Sequence, residues 1–222
     1  MSEKKFMNAY DGLKTLNLAE ILNVISVAVA GLVLLVLVVK SGSIGDTNIS
    51  SQEFGNGFLV FVAGIVAPIL ALCAFILQIS GINKAKTDDE GFDTALMFVI
   101  GGIIVSVIAV FTSGWLESVL SVVSKILSLC VTLNIIKGIR SVACQLGKTD
   151  TDKKGGTVFA VIIVLSVIFI VLGMVNIFVP SISRLMTLVI GGFNLAKSIV
   201  FLTYLSNAVN MFGIKEEIDP LG

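Results

Sequence analysis

The chain has 222 residues, 56% of them apolar and 14% charged, with a mean hydropathy of +1.04. Soluble domains run nearer roughly 45–50% apolar and about 25% charged, so this much apolar surface needs lipid to cover it. Fifteen Lys and Arg balance fifteen Asp and Glu and histidine is absent, which excludes a basic field for nucleic acid and any imidazole for catalysis or metal ligation.

A helix crosses a hydrocarbon core of about 30 Å with roughly 20 apolar residues. Six stretches approach that length, at 21–39, 57–79, 95–111, 119–139, 158–178 and 185–205. They predict an all-α membrane protein, a single transmembrane domain built as a bundle of six helices. The first run is as long as a full span and no A-x-A site follows it, so it reads as a retained span and not a cleaved signal peptide. Four runs carry no charge, the fourth holds Lys125 and Lys137, and the sixth holds Lys197.

Local signals set expected helix boundaries. Asn17 followed by Glu20 has the spacing of a capping box opening the first span. Asp93 or Thr94 and Thr157 would cap the third and fifth spans. Pro68 should kink the second helix, whereas Pro180 sits in the turn between the last two. Glu20 and Glu117 then fall at helix ends, and no span contains a carboxylate. The termini and the second and fourth loops hold ten basic residues against two in the other three loops, which places both termini in the cytoplasm and the protein in a cell membrane.

Short matches recur along the chain. Leu72-Cys73 returns as Leu129-Cys130, Gly81-Ile82 as Gly138-Ile139, Lys86-Thr87-Asp88 as Lys148-Thr149-Asp150, and Asn134-x-x-Lys137 as Asn194-x-x-Lys197. They suggest three tandem helical hairpins of about 60 residues in one orientation.

Lys197 is the sharpest candidate for function. It lies eight residues before the end of the sixth run, about 12 Å deep at 1.5 Å per residue. A charge at that depth is costly, so it marks a functional site by default. The alternative is that it snorkels to the cytoplasmic interface or bonds nearby backbone and Asn194. A functional Lys197 without a carboxylate partner should either shed its charge or face a water-filled cavity.

On the fourth span, Glu117, Ser118, Ser121, Ser124, Lys125, Ser128 and Thr132 share one helical face. That face either lines a hydrophilic path or serves as packing between helices, the reading favoured by its short side chains. Asn134 and Lys137 extend the polar set toward the end of the span. Small residues at Ala63, Ala67 and Ala71, and the pairs Gly101-Gly102 and Gly191-Gly192, permit close backbone approach within one bundle or in a homo-oligomer.

Other features point away from ligands. Cys73, Cys130 and Cys144 form no C-x-x-C pair and read as reduced packing residues. Gly147-Lys148-Thr149 lacks the upstream glycine and the preceding strand of a phosphate-binding loop, so no nucleotide is expected. No cofactor or metal is expected either. Asn48-Ile49-Ser50 is a glycosylation acceptor only in a eukaryotic secretory membrane. The acidic run Asp88, Asp89, Glu90 and Asp93 reads as a solvated loop.

The last hairpin, with Val179-Pro180 at its turn followed by Gly191-Gly192, Asn194 and Lys197-Ser198-Ile199, resembles the repeating unit of the HdeD-like bacterial membrane proteins. The resemblance covers about a quarter of the chain, and the Thr112-Ser113-Gly114-Trp115 turn lacks the proline. It implies a stress-associated inner-membrane protein and carries over no site residue. Without converging acid, base or nucleophile sets, the expectation is a non-catalytic membrane protein with a structural, interaction or envelope-stress role. The alternative is a small-solute or ion transporter or channel using Lys197 and the polar face of the fourth span.

Overall fold

The computed structural model describes residues 6–40, 62–178 and 183–213. They form α1 (Met7–Lys40), a π-helical turn (Val62–Val66) leading into α2 (Ala67–Ala85), α3 (Glu90–Val110), α4 (Trp115–Gln145), α5 (Thr149–Phe178) and α6 (Ser183–Asn210). Each of the six contains a segment long and apolar enough to cross a membrane, and no strand occurs among the described residues. Only 11% to 22% of each span's most apolar window is buried. The outward surface of Leu32, Ile69, Ile104, Val107 and Val164 is therefore the surface that lipid covers, and the chain is an all-α, multi-pass membrane protein. The start of the second run at 57–61, the Asn48 acceptor and the Val179-Pro180 turn lie outside the described residues.

Each helix packs against the one before it, and α6 returns to α1, closing the six into a ring. Glycine sets the closest approaches. A Cβ on Gly12 would lie 2.6 Å from the Gly81 carbonyl oxygen, and one on Gly91 would lie 2.7 Å from the Gly138 backbone nitrogen. The same antiparallel register carries α1 along α2 to the point where the Ser26 hydroxyl donates to the Ala67 carbonyl at 2.8 Å. At Gly101-Gly102 and Gly191-Gly192, expected as close-packing pairs, an added Cβ would meet nothing within 4 Å. Ala67 is buried, whereas Ala71 is exposed.

Several helix starts differ from expectation. Asn17 and Glu20 do not open a helix, because α1 already runs from Met7. Its first turns place Ala9, Tyr10, Leu13, Leu16 and Ala19 on one buried face, and that stripe at helical spacing is enough to hold them in the bundle. The missing cap comes from a distant loop, where Asp88 Oδ2 accepts from the Ala9 backbone N–H at 2.7 Å. Asp89, not Asp93 or Thr94, caps α3 by accepting from the Gly91 N–H at 2.8 Å. The acidic run is thus partly structural rather than simply solvated. Thr157 lies inside α5, where its hydroxyl donates to the Lys153 carbonyl at 3.5 Å. Pro68 sits in the first turn of α2, just where the π-helical turn ends, a position at which its missing N–H costs little.

Buried apolar side chains gather at one end of the ring. Tyr10, Leu13 and Leu16 of α1 meet Ile82 and Ala85 of α2, Phe92 and Ala95 of α3, Ile135, Ile139 and Val142 of α4, Ile162 of α5 and Tyr204, Leu205 and Phe212 at the end of α6. Tyr10 and Phe212 meet edge to face, with ring centroids 5.5 Å apart, so the first and last described residues share that end. Helix α1 is 34 residues long, about 51 Å, which exceeds a bilayer core of about 30 Å.

Candidate functional site: a polar cavity inside the helix ring

Glu20 lies thirteen residues after Met7 in α1, and Lys197 lies thirteen before Asn210 in α6. Each is therefore about 20 Å from its helix end on the packed side. Because α1 and α6 are antiparallel neighbours, the two charges come to one level and act on each other electrostatically. This corrects two expectations. Glu20 is interior to its helix, and Lys197 does face a carboxylate. Both follow from α1 beginning at Met7, well before its apolar run at 21–39.

The two charges border a cavity of about 280 Å³ lined by Asn23 of α1, Ala71, Ala74 and Gln78 of α2, Ser128 and Thr132 of α4, and Asn194 and Ser198 of α6. Four of the six helices reach it, so it occupies the interior of the ring. Asn23 Nδ2 donates to Glu20 Oε1 at 3.2 Å and to Ser198 Oγ at 3.3 Å, and so bridges the carboxylate to α6. This network holds the carboxylate against α6. Lys197 and Glu20 are not in ion-pairing contact; among the described residues the ion pair is Arg140–Asp152, at 2.8 Å near the packed end. Gln78 and Asn194 make no side-chain hydrogen bond within the described residues, so both present unused donors and acceptors to the cavity.

A second, smaller cavity of about 170 Å³ adjoins the first. Ser128, Asn194 and Lys197 line both, and Ser124, Lys125, Ser166 and Phe169 complete its wall. Lys125 Nζ lies 5.3 Å and Lys197 Nζ 6.0 Å from the centroid of the Phe169 ring, so one aromatic ring serves two ammonium groups. The Ser166 hydroxyl is buried here with no partner among the described residues. A third cavity of about 470 Å³ continues past Ser124 and Lys125 to Ser121 and Glu117, beside Ser106 and Val110 of α3. The series follows α4 from the level of Lys197 to the α3–α4 turn at the end opposite the packed core.

The polar face of the fourth span therefore borders this series of cavities at Glu117, Ser121, Ser124, Lys125, Ser128 and Thr132. It does not act as hydrogen-bonded packing between helices: among the described residues the one side-chain bond along it runs from the Thr132 hydroxyl to the Ser128 carbonyl of the same helix, at 3.1 Å. Asn194 joins the site, but Asn134 and Lys137 do not. Asn134 Nδ2 donates to the Cys130 carbonyl at 2.8 Å within α4, and Lys137, eight residues from the packed end of its helix, is exposed on the outside. The echo between Asn134-x-x-Lys137 and Asn194-x-x-Lys197 thus joins residues of unequal depth. Glu20, Asn23, Gln78, Ser166, Phe169 and Ser198 were not picked out from the sequence. The apolar stripe from Ala9 to Ala19 was the signal that would have moved the start of α1 and placed Glu20 and Asn23 inside it.

Beside this series lies an apolar crevice of about 480 Å³ between α2, α3 and α4, lined by Phe75, Phe98, Ile103 and Val107 and touching the polar cavity at Gln78 and Ser128. Among the described residues no group of three Asp, Glu, Cys or His converges as metal ligands do. No family model, curated protein or solved structure matches the chain.

Proposed function

We propose that the protein carries a small polar solute or ion across the membrane through the interior of its helix ring. The observation that carries this reading is the cavity bordered by Glu20 and Lys197, continued by two more along α4. Charges inside a span are expensive unless they are hydrated or paired. A purely structural bundle has no use for two that face a common space without contact, so transport explains the site better than a passive role in the envelope. The packed core seals one end of the ring, and the cavities run toward the other. The excess of Lys and Arg on the loops at the sealed end supports a cytoplasmic location for both termini, and the described conformation then faces outward.

The test is solute-driven swelling of proteoliposomes, followed by light scattering, across a panel of small sugars, polyols, amino acids and salts. The expected result is protein-dependent flux of at least one small polar solute that falls about tenfold in Lys197→Gln and in Glu20→Gln, the loss of one charge contact being worth about 1.4 kcal/mol. Silence across the panel, or flux indifferent to both substitutions, would sink the proposal.

A further inference from the structure

If the ring is a carrier, its cavity also limits what is carried. Its volume of about 280 Å³ holds a cluster of about nine waters at roughly 30 Å³ each, or a solute of up to about ten non-hydrogen atoms. The wall presents one carboxylate and one ammonium from neighbouring helices, and neither satisfies the other by direct contact. The remaining polar groups divide in the same way. Asn23 and Ser198 gather round the carboxylate of Glu20, while Lys197 has the face of Phe169 on one side and the uncommitted Asn194 along its own helix.

We propose that the solute is a small zwitterion, an amino acid or ω-amino acid, bound with its ammonium on Glu20 and its carboxylate on Lys197 and Asn194. A cation alone would leave Lys197 facing it across the cavity, and an anion alone would do the same with Glu20. Each would leave one charge of the wall uncompensated and facing a like charge on the solute. A zwitterion completes both halves at once and adds no net charge. The polarity is fixed because the carboxylate and ammonium of the protein are on different helices and cannot exchange places.

This inference rests on the transport reading, and the experiment separates the two. Purified full-length protein in detergent would be titrated with glycine, β-alanine, 4-aminobutanoate and 6-aminohexanoate, with butylamine and butyrate as single-charge probes, and binding read by thermal shift. One chain length should bind best, and both single-charge probes should bind at least about tenfold more weakly. Glu20→Gln and Lys197→Gln should each remove the preference for the zwitterion, and the exchanged double variant Glu20→Lys with Lys197→Glu should recover it. Equal binding of butylamine or butyrate would overturn the zwitterion assignment, as would silence of the whole amino-acid series while the proteoliposomes pass another solute. Absence of all flux would count against the carrier itself, whatever binds.

Discussion

The two halves of this ring are built on opposite principles. In the half that holds both described ends, apolar side chains from all six helices are almost fully removed from their surroundings, and glycines bring backbones together at Gly12·Gly81 and Gly91·Gly138. From the level of Glu20 and Lys197 onward, the interior is lined with Ser, Thr, Asn and Lys around open space, and a Cβ added to the glycines at 101–102 and 191–192 would meet nothing within 4 Å. Inside a bilayer the hydrophobic effect gives no reason for apolar helices to associate, so close packing has to come from shape. One half supplies that shape, and the other is therefore spared the need to pack and can hold water and charge.

The largest test of this contrast is a single methyl group placed in each half. Gly91→Ala drives a Cβ into the backbone nitrogen and Cα of Gly138 at 2.7 and 2.8 Å. Neither atom can rotate away, so α3 and α4 must separate. Overpacking of this kind costs about 1–3 kcal/mol or more, and the expected readout is a thermal midpoint in detergent lowered by many degrees or loss of the monodisperse peak. Gly102→Ala, on the same helix and in the same residue type, should leave the midpoint in place. Equal sensitivity at the two positions would erase the distinction.

A smaller effect is expected at the cap that ties the packed half together. Asp88 closes the start of α1 from the α2–α3 connection, so Asp88→Ala leaves an orphan N–H at a helix start and removes the favourable charge there. The loss should be about 1 kcal/mol, seen as a lowered midpoint and faster hydrogen exchange in the first turn of α1. The ion pair Arg140–Asp152 belongs to the same end but is about two-fifths exposed. Exposed pairs contribute little, and Arg140→Gln should change stability by under about 1 kcal/mol. A larger loss would mean that the guanidinium also supports Tyr204, whose hydroxyl is buried nearby without a partner among the described residues.

The same contrast explains what could be read in the sequence. Lipid-facing surface is a one-dimensional signal, since a long apolar run has few ways to be anything but a span, and all six helices were legible from it. The polar stripe of α4 was legible too, as periodicity on a single helix, and six of its residues border the cavities. Glu20 was not. Its helix runs on past the apolar segment because Ala9, Leu13 and Leu16 find partners on other helices, and that information is absent from the local sequence. Nor could the facing of Glu20 and Lys197 be read, because it depends on α6 closing the ring onto α1 across more than 170 residues.

The smallest expected effect is the most informative about the polar half. Lys197→Met removes a charge that sits in a span, makes no ion-pairing contact and borders a cavity in which water can take the place of its contacts. Were Lys197 part of the packing, its loss would leave Glu20 buried and uncompensated at a cost of about 3–5 kcal/mol, as when one partner of a buried ion pair is deleted. In a hydrated cavity Asn23 keeps its hold on the Glu20 carboxylate and on Ser198, and the Met side chain spares the span the cost of a buried ammonium. Insertion, monodispersity and the thermal midpoint should therefore stay within about 1 kcal/mol of the unmodified protein, while solute flux is lost. A variant that fails to fold would make Lys197 a structural partner of Glu20, and the polar half would then be held together by charge in the way the other half is held together by shape.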